Sequence, residues 1–257
     1  MIRRFVSAWV WASWAVLVPL WCLWLGVVFV FTVPFDRGRY TVGRWFRLCA
    51  VTAAGLNPFW TFHVSGVSIS DPRRPYVAVS NHESIADIFL ISHLPWEMKW
   101  LSKEVIFRIP FMGWMMRMAG DIAVRRNSRH SRAEAIEECR GRLKKRVSVI
   151  IFPEGTRSGT GDLLPFKDGA FRLAIEMGCP ILPLSVAGTR NAIAKGSWVF
   201  GRARAEVRVL EPISTDGLSL ADAPVLREQV RSLIEETRQA LFQELAIQGT
   251  STAPLGP

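Results

Sequence analysis

A stretch of 31 residues without a charged side chain, residues 5–35, limits what this chain can fold into more than any other feature. A helix crosses the hydrocarbon core of a bilayer with about 20 apolar residues, so the stretch is long enough to span it. It is longer than the apolar part of a secretory signal, and no small-x-small cleavage site follows it. We therefore predict a retained membrane anchor; a buried core helix is the alternative.

Basic residues flank this stretch on both sides, so charge alone does not decide how the anchor sits. The positive-inside rule favours the cytoplasm for both flanks. The next apolar stretch, residues 48–60, is too short to return across a bilayer, and five tryptophans within residues 5–35 favour the interface. We predict that residues 1–58 are membrane-anchoring helices and that residues 1–56 form a helical hairpin in one leaflet, with a single span as the alternative. The flanking arginines are Arg3, Arg4, Arg37, Arg39, Arg44 and Arg47.

The net charge of +10 is concentrated in two parts of the chain, residues 1–56 and 121–146. Such local excess suits an anionic membrane surface, anionic substrates or nucleic acid. The apolar stretch favours the membrane among these partners. The four cysteines are too far apart for a zinc motif or a disulfide framework, which is typical of a reducing compartment. They are Cys22, Cys49, Cys139 and Cys179.

Short β-type runs alternate with helical stretches after residue 60. This alternation predicts an α/β fold, a mainly parallel sheet flanked by helices, over residues 59–248. Residues 249–257 are small and polar and predict a disordered tail. The predicted strands are 61–69 at an edge, 76–80, 98–102, 121–124, 147–152, 181–188 and 205–210. The predicted helices are 84–94, 104–118, 129–146, 168–178 and 224–246.

A histidine and an aspartate stand five residues apart where the strand 76–80 ends. Ligands of α/β proteins bind at the carboxyl ends of strands, so the place suits a site. Residues five apart lie on different faces of a helix. His82 and Asp87 can therefore pair only if His82 lies in the turn before the helix. Asp87 would then hold one ring nitrogen and leave the other as a base. A capping histidine beside an unrelated aspartate is the alternative.

A second strand end, residues 151–157, brings small residues and an arginine together. The planar fork of Arg157 suits phosphate oxygens, and Lys167 follows on the same long loop. The spacing is not that of a Walker loop. A solvated turn is the alternative. Two further strand ends carry Arg125 with Arg126 and an apolar strand interrupted by Pro183.

Taken together, these four strand ends resemble conserved blocks of the glycerolipid acyltransferases, specifically the bacterial 1-acyl-glycerol-3-phosphate acyltransferases. Residues 81–87 resemble the Asn-His-four-residues-Asp block, and residues 152–157 resemble the Glu-Gly-Thr-Arg block. Residues 120–126 and the strand around Pro183 resemble the other two. The resemblance covers residues 60–210. One departure is that Ala123 and Arg125 stand where the family usually has an aromatic and often an acidic residue.

The resemblance implies an O-acyltransferase whose base is His82, oriented by Asp87. The free hydroxyl of 1-acyl-glycerol-3-phosphate would attack an acyl thioester directly and give phosphatidate for phospholipid biosynthesis. Acyl-CoA or acyl carrier protein would be the co-substrate, and no metal or cofactor is expected. The enzyme would be anchored at the cytoplasmic face of the inner membrane and would bind no nucleic acid. The predicted substrate-binding residues are Asn81, Lys103, Arg126, Glu154, Gly155, Thr156, Arg157 and Lys167.

Several alternatives stay open at the level of sequence. Another lyso-lipid, such as a lyso-ornithine lipid or another lysophospholipid, would fit the same blocks. A membrane-tethered module that binds lipid phosphates without turnover would use Arg126 and Arg157 and leave His82 idle. A metal-dependent hydrolase is disfavoured, because the other histidines lack paired carboxylates at ligand spacing.

Overall fold

Two helices come first in the computed structural model, which describes residues 1–125, 127–158, 161–194 and 196–251. Helix α1 spans Ile2–Thr32 and α2 spans Tyr40–Gly55, and the two pack against each other as a hairpin. By length and composition, α1 could cross a membrane. The chain reverses between them at Arg39, whose φ of 53° places it in the left-handed region.

Seven strands follow and form one sheet, in the spatial order β1-β7-β6-β2-β5-β3-β4. All neighbouring pairs are parallel except β6 and β7, which are antiparallel. This confirms the predicted fold class and each predicted strand to within a few residues. The strands are β1 Trp60–Gly66, β2 Val77–Ser80, β3 Met98–Lys103, β4 Ile122–Val124, β5 Ser148–Ile151, β6 Ile181–Ala187 and β7 Ala203–Val209.

Among the described residues, four α-helices connect strands and a fifth follows β7, and their ends follow the local sequence. Ser128 caps the start of the helix after β4 by accepting a hydrogen bond from Ser131 N at 3.1 Å. The predicted helix 104–118 is instead a short 3-10 helix, Glu104–Arg108, and a separate α-helix, because Pro110 cannot continue a helical ladder. The helices are α3 Ala86–Ile91, α4 Met112–Ala119, α5 Arg129–Lys144, α6 Gly169–Met177 and α7 Ala223–Ser251. Residues 252–257 of the predicted tail lie outside the described residues.

Helices cover both faces of the sheet, which explains why β2 and β5 are buried at every residue. Val77 and Val79 face a core that α5, α6 and α7 complete, whereas Ala78 faces the core beneath α3. The hairpin and α4 form a third apolar cluster on the α3 side. The ends of the strands are therefore the places where a ligand can reach the sheet.

The hairpin is docked onto the α/β domain along its length. Near its start, Ser7 Oγ accepts from Phe200 N at 2.9 Å, and Trp11 Nε1 donates to Trp198 O at 2.8 Å. Further along the hairpin, Arg44 Nη1 of α2 donates to Leu94 O of the domain at 2.7 Å. One stripe of α1 is thus buried against protein, while the opposite face exposes large apolar side chains.

Four buried charges join α2 to the sheet, a cluster named here the junction charges: Arg47, Glu97, Lys99 and Asp121. Arg47 pairs with Asp121 and lies 3.5 Å from Glu97 Oε2. Lys99 Nζ donates to Glu97 Oε1 at 2.9 Å and to Arg39 O at 2.8 Å. Arg47, one of the arginines that follow residues 5–35, is therefore buried inside the protein.

Candidate active site

The carboxyl ends of five parallel strands meet at one edge of the sheet, and the turn after β2 lies there. Asn81 opens this turn and is buried. Its Nδ2 donates to Val186 O at 2.8 Å, and its Oδ1 accepts from Val186 N at 2.8 Å. Both amide groups are engaged by β6, so we expect Asn81 to hold the turn and not, as predicted from the sequence, to contact a substrate.

His82 and Asp87 are paired in the geometry that the sequence required. His82 lies in the turn, and Asp87 in the first turn of α3, with 2.7 Å between His82 Nδ1 and Asp87 Oδ2. The same carboxylate oxygen accepts from Glu83 N at 2.8 Å and from Ser84 N at 3.0 Å. Asp87 is fully buried, so these donors replace water around its charge.

A second support for Asp87 was not predicted from the sequence. Thr189, buried in the turn after β6, donates its hydroxyl to Asp87 Oδ1. Gly188 precedes it with a φ of 89°, and a Cβ there would collide with Arg204 O. The Gly-Thr pair at the end of a strand was the available signal, but 102 residues separate Thr189 from Asp87.

An aromatic ring covers one face of the imidazole. The Phe152 ring stacks on His82 with 4.1 Å between centroids and 21° between planes. Stacking of this kind restricts rotation of the ring and keeps one side of it dry. Phe152 entered the prediction only as the start of a motif, and its contact with His82 depends on β2 and β5 being neighbours.

Glu154 joins the loop after β5 to the histidine turn. Its Oε1 accepts from His82 N at 2.6 Å, and its Oε2 accepts from Leu164 N at 3.0 Å. Burial raises the pKa of the Glu154 carboxyl, while its hydrogen bonds with these two backbone N–H groups oppose the rise. We therefore expect Glu154 to position His82, instead of binding substrate as predicted.

Glu83, the residue after His82, is paired with an arginine of α7. Arg238 Nε of α7 donates to Glu83 Oε1 at 3.1 Å. Burial, and then the charge of Asp87, raise the pKa of Glu83 to about 7, although Arg238 opposes the rise. The rise reflects a carboxyl that is buried close to the Asp87 carboxylate.

Two of the predicted substrate-binding residues of the loop after β5, Gly155 and Lys167, line a cleft. A cavity of about 320 Å³ is lined by Phe152, Gly155 and Lys167 and by apolar side chains of β3, β4 and α5. Gly155 has a φ of 72°, and a Cβ there would lie 2.6 Å from Lys167 Nζ. Arg157 is half-buried and Thr156 is exposed. The cleft combines an apolar wall with the cations Arg132 and Lys167.

The remaining predicted cations lie at the ends of β3 and β4. Lys103 is exposed at the end of β3. Arg126 lies outside the described residues. Arg125, at the position that departs from the family pattern, is exposed and lies 3.4 Å from Glu104 Oε2. Among the described residues, no group of three or more His, Cys, Asp or Glu side chains could hold a metal ion.

A family model described as Acyltransferase matches residues 61–187. This segment contains the His82–Asp87 pair and the loop that carries Glu154 and Arg157. Residues 61–187 therefore match the acyltransferase family.

Individual relatives point in the same direction. The chain is 33% identical to the 1-acyl-sn-glycerol-3-phosphate acyltransferase of Saccharomyces cerevisiae over 71% of this chain and 61% of the relative. It is 32% identical to 1-acyl-sn-glycerol-3-phosphate acyltransferase alpha of Homo sapiens, over 72% of this chain and 65% of the relative. The chain thus spans under two thirds of the length of these relatives.

A solved structure covers more of the fold. The crystal structure of the 1-acyl-sn-glycerophosphate acyltransferase PlsC from Thermotoga maritima superposes with a TM-score of 0.73. The sequence identity is 26%, and the match covers 93% of this chain and 97% of that chain. The likeness therefore includes the hairpin as well as the α/β domain.

Proposed function

We propose that this protein transfers an acyl chain from an acyl thioester to the free hydroxyl of 1-acyl-glycerol-3-phosphate, giving phosphatidate in phospholipid biosynthesis. The observation that carries the proposal is the His82–Asp87 pair, whose imidazole stacks on Phe152, a residue that lines a cleft with Arg132 and Lys167. A base beside an anion-binding loop suits an acceptor that carries both a hydroxyl and a phosphate.

The pair supplies the base for a direct transfer. Asp87 holds the proton on Nδ1, so Nε2 of His82 takes the proton of the acceptor hydroxyl. The hydroxyl oxygen attacks the thioester carbonyl, the new C–O ester bond forms and the C–S bond breaks. The proton then passes from Nε2 to the leaving sulfur, which departs as a thiol. Acyl-CoA and acyl carrier protein both supply such a thioester.

The acceptor is the part of the proposal that most needs a direct test. Purified protein is given one labelled acyl donor and a panel of lysophosphatidate, other lysophospholipids and a lyso-ornithine lipid, and products are identified. We expect phosphatidate to form fastest. A faster reaction with the lyso-ornithine lipid would assign another acyltransferase activity, and no product with any acceptor would favour a lipid-binding module.

Arg157→Ala is expected to reduce kcat/KM for lysophosphatidate by about 10-fold to 100-fold, since a charge-assisted hydrogen bond contributes about 1.5–3 kcal/mol. The loss is expected to be smaller with a lysophospholipid that lacks a phosphomonoester. Lys144→Ala removes one exposed charge where α5 ends, at the opposite edge of the sheet, and serves as the control. Equal losses on both acceptors would contradict a phosphate contact at Arg157.

The membrane position of the hairpin is also proposed. Docking of α1 onto the domain near Ser7 and Trp11 favours a position in one leaflet, because a spanning α1 would carry these residues away from residues 198–200. Its outer face is apolar and would contact lipid at the cytoplasmic face. The exposed side chains of this face include Ile2, Phe5, Trp9, Val16, Leu20, Leu23, Val27, Val30 and Phe31.

Ile2→Cys in intact cells is expected to resist a membrane-impermeant thiol reagent and to react after lysis, because both ends of the hairpin lie on the cytoplasmic side. Lys144→Cys, exposed on the α/β domain, is the matched control and should behave in the same way. The four native cysteines are buried and are measured as background in the unaltered protein. Labelling at position 2 before lysis would establish a single span.

A further inference from the structure

A second cavity lies away from the histidine turn, between the first turn of α1 and the segment that follows β6. Its volume is about 770 Å³. Four arginines line it, named here the arginine basin: Arg3, Arg4, Arg190 and Arg202. Among its described lining residues there is no carboxylate. The basin therefore concentrates positive charge at one place where the hairpin meets the domain.

The walls of the basin are held in place by backbone contacts. Arg3 donates from Nε and Nη2 to Phe200 O, each at 3.4 Å, and Ser7 fixes the same residue through its backbone N. A Cβ at Gly201 would collide with Asn191 O and would lie 3.3 Å from Arg3 Nη2. Arg202 lies over the Phe59 ring at 5.9 Å from its centroid. The basin is thus a built surface of the fold.

Three of the four arginines of the basin stand outside the ion pairs of the described residues. The ion pairs that the described residues form involve neither Arg3, Arg4 nor Arg202. Like charges brought together repel one another, and a bound anion removes that cost. Guanidinium groups favour phosphate because their planar donors match its oxygens.

The surroundings of the basin indicate where the phosphate comes from. Ile2 and Phe5 of α1 are 76% and 77% exposed, and Trp198 is 50% exposed at the same end of the helix. Aromatic and large apolar side chains beside arginines are typical of surfaces that sit at the level of lipid headgroups. A soluble metabolite would not require this apolar surround.

We propose that the arginine basin binds the phosphate of an anionic phospholipid headgroup and so fixes the start of α1 against the membrane. The proposal rests on the membrane position given above for the hairpin and is independent of acyl transfer. Arg190 directly follows Thr189, which supports Asp87. A lipid held in the basin would therefore set the height of the His82 turn above the bilayer.

Binding to vesicles tests the basin without catalysis. Vesicles of phosphatidylcholine alone, or with phosphatidylglycerol, are titrated with the full-length protein in the absence of donor and acceptor. The variant Arg4→Gln with Arg202→Gln is expected to bind phosphatidylglycerol vesicles about 30-fold more weakly, since each arginine near an anionic surface contributes about fivefold. Binding to phosphatidylcholine vesicles should change less than threefold.

The matched control also removes two arginine charges, but from helices that lie away from the basin. Arg172→Gln with Arg231→Gln alters α6 and α7, which cover the face of the sheet away from α1. If both double variants bound phosphatidylglycerol vesicles equally weakly, general charge attraction would explain the binding, and the proposal would be overturned. Tight binding of inorganic phosphate to the solubilised protein, lost in Arg4→Gln with Arg202→Gln while vesicle binding persists, would also overturn it in favour of a free phosphate site.

Discussion

Replacing His82 with alanine is expected to lower turnover by about 10²–10⁴-fold, the range for loss of a general base. The imidazole is the group that can take the proton of the acceptor hydroxyl in this geometry, because Asp87 occupies Nδ1 and leaves Nε2 for the reaction. The measurement is the initial rate of labelled phosphatidate formation with saturating donor and acceptor.

His130→Ala is the matched control for this experiment. Its side chain is 81% exposed at the start of α5, where it lies 3.0 Å from Glu134 Oε1. Turnover should stay near that of the unaltered protein. Both variants should keep the thermal unfolding midpoint and vesicle binding. Near-normal turnover of a folded His82→Ala protein would mean that the base lies elsewhere.

Asp87→Asn is expected to lower turnover by up to about 10⁴-fold, as for an aspartate that fixes the tautomer of a catalytic histidine. The carboxylate accepts from His82, from two backbone N–H groups and from Thr189. The NH₂ group of an asparagine side chain at this position would direct a hydrogen-bond donor at groups that are themselves donors. The loss should appear mainly in kcat, because the imidazolium that forms during the reaction loses its counter-charge.

Thr189 provides an internal comparison for this effect. Thr189→Ser keeps the hydroxyl that donates to Asp87 and should retain most activity, whereas Thr189→Val keeps the shape and loses the donor. The valine variant should fall between the unaltered protein and Asp87→Asn. A near-normal turnover rate of Asp87→Asn would show that the role assigned to Asp87 is wrong. Equal activity of the serine and valine variants would show that the role assigned to Thr189 is wrong.

The strands and the pairing of His82 with Asp87 could be predicted because both depend on short-range patterns. Alternation of apolar runs with helical periods fixes the class of fold. His82 and Asp87 are close in sequence, so helix geometry requires His82 to lie in the turn before the helix if the two side chains are to pair. The division at residues 58 and 59, the roles of the cations and the acyl donor stay predictions.

The supports of the pair could not be predicted, because they come from distant strands. Glu154 reaches His82 across 72 residues, and Thr189 reaches Asp87 across 102. These contacts depend on β5 and β6 flanking β2, an order that the chain sequence does not state. Asn81 and Arg47 show the same difficulty. The sequence predicts a substrate contact for Asn81 and a basic flank for Arg47, whereas Asn81 binds the backbone of Val186 and Arg47 pairs with the buried Asp121.

The junction charges mean that the hairpin is not an exchangeable module. If α2 were removed or replaced by an unrelated anchor, Glu97, Lys99 and Asp121 would lose Arg47 and the backbone oxygen of Arg39. An uncompensated buried charge costs about 3–5 kcal/mol, a large share of the stability of a domain. Truncation to a soluble fragment or fusion to a foreign anchor would thus begin from a destabilised sheet. The residues that contact lipid and the residues that perform the chemistry therefore have to change together, both in protein design and in evolution.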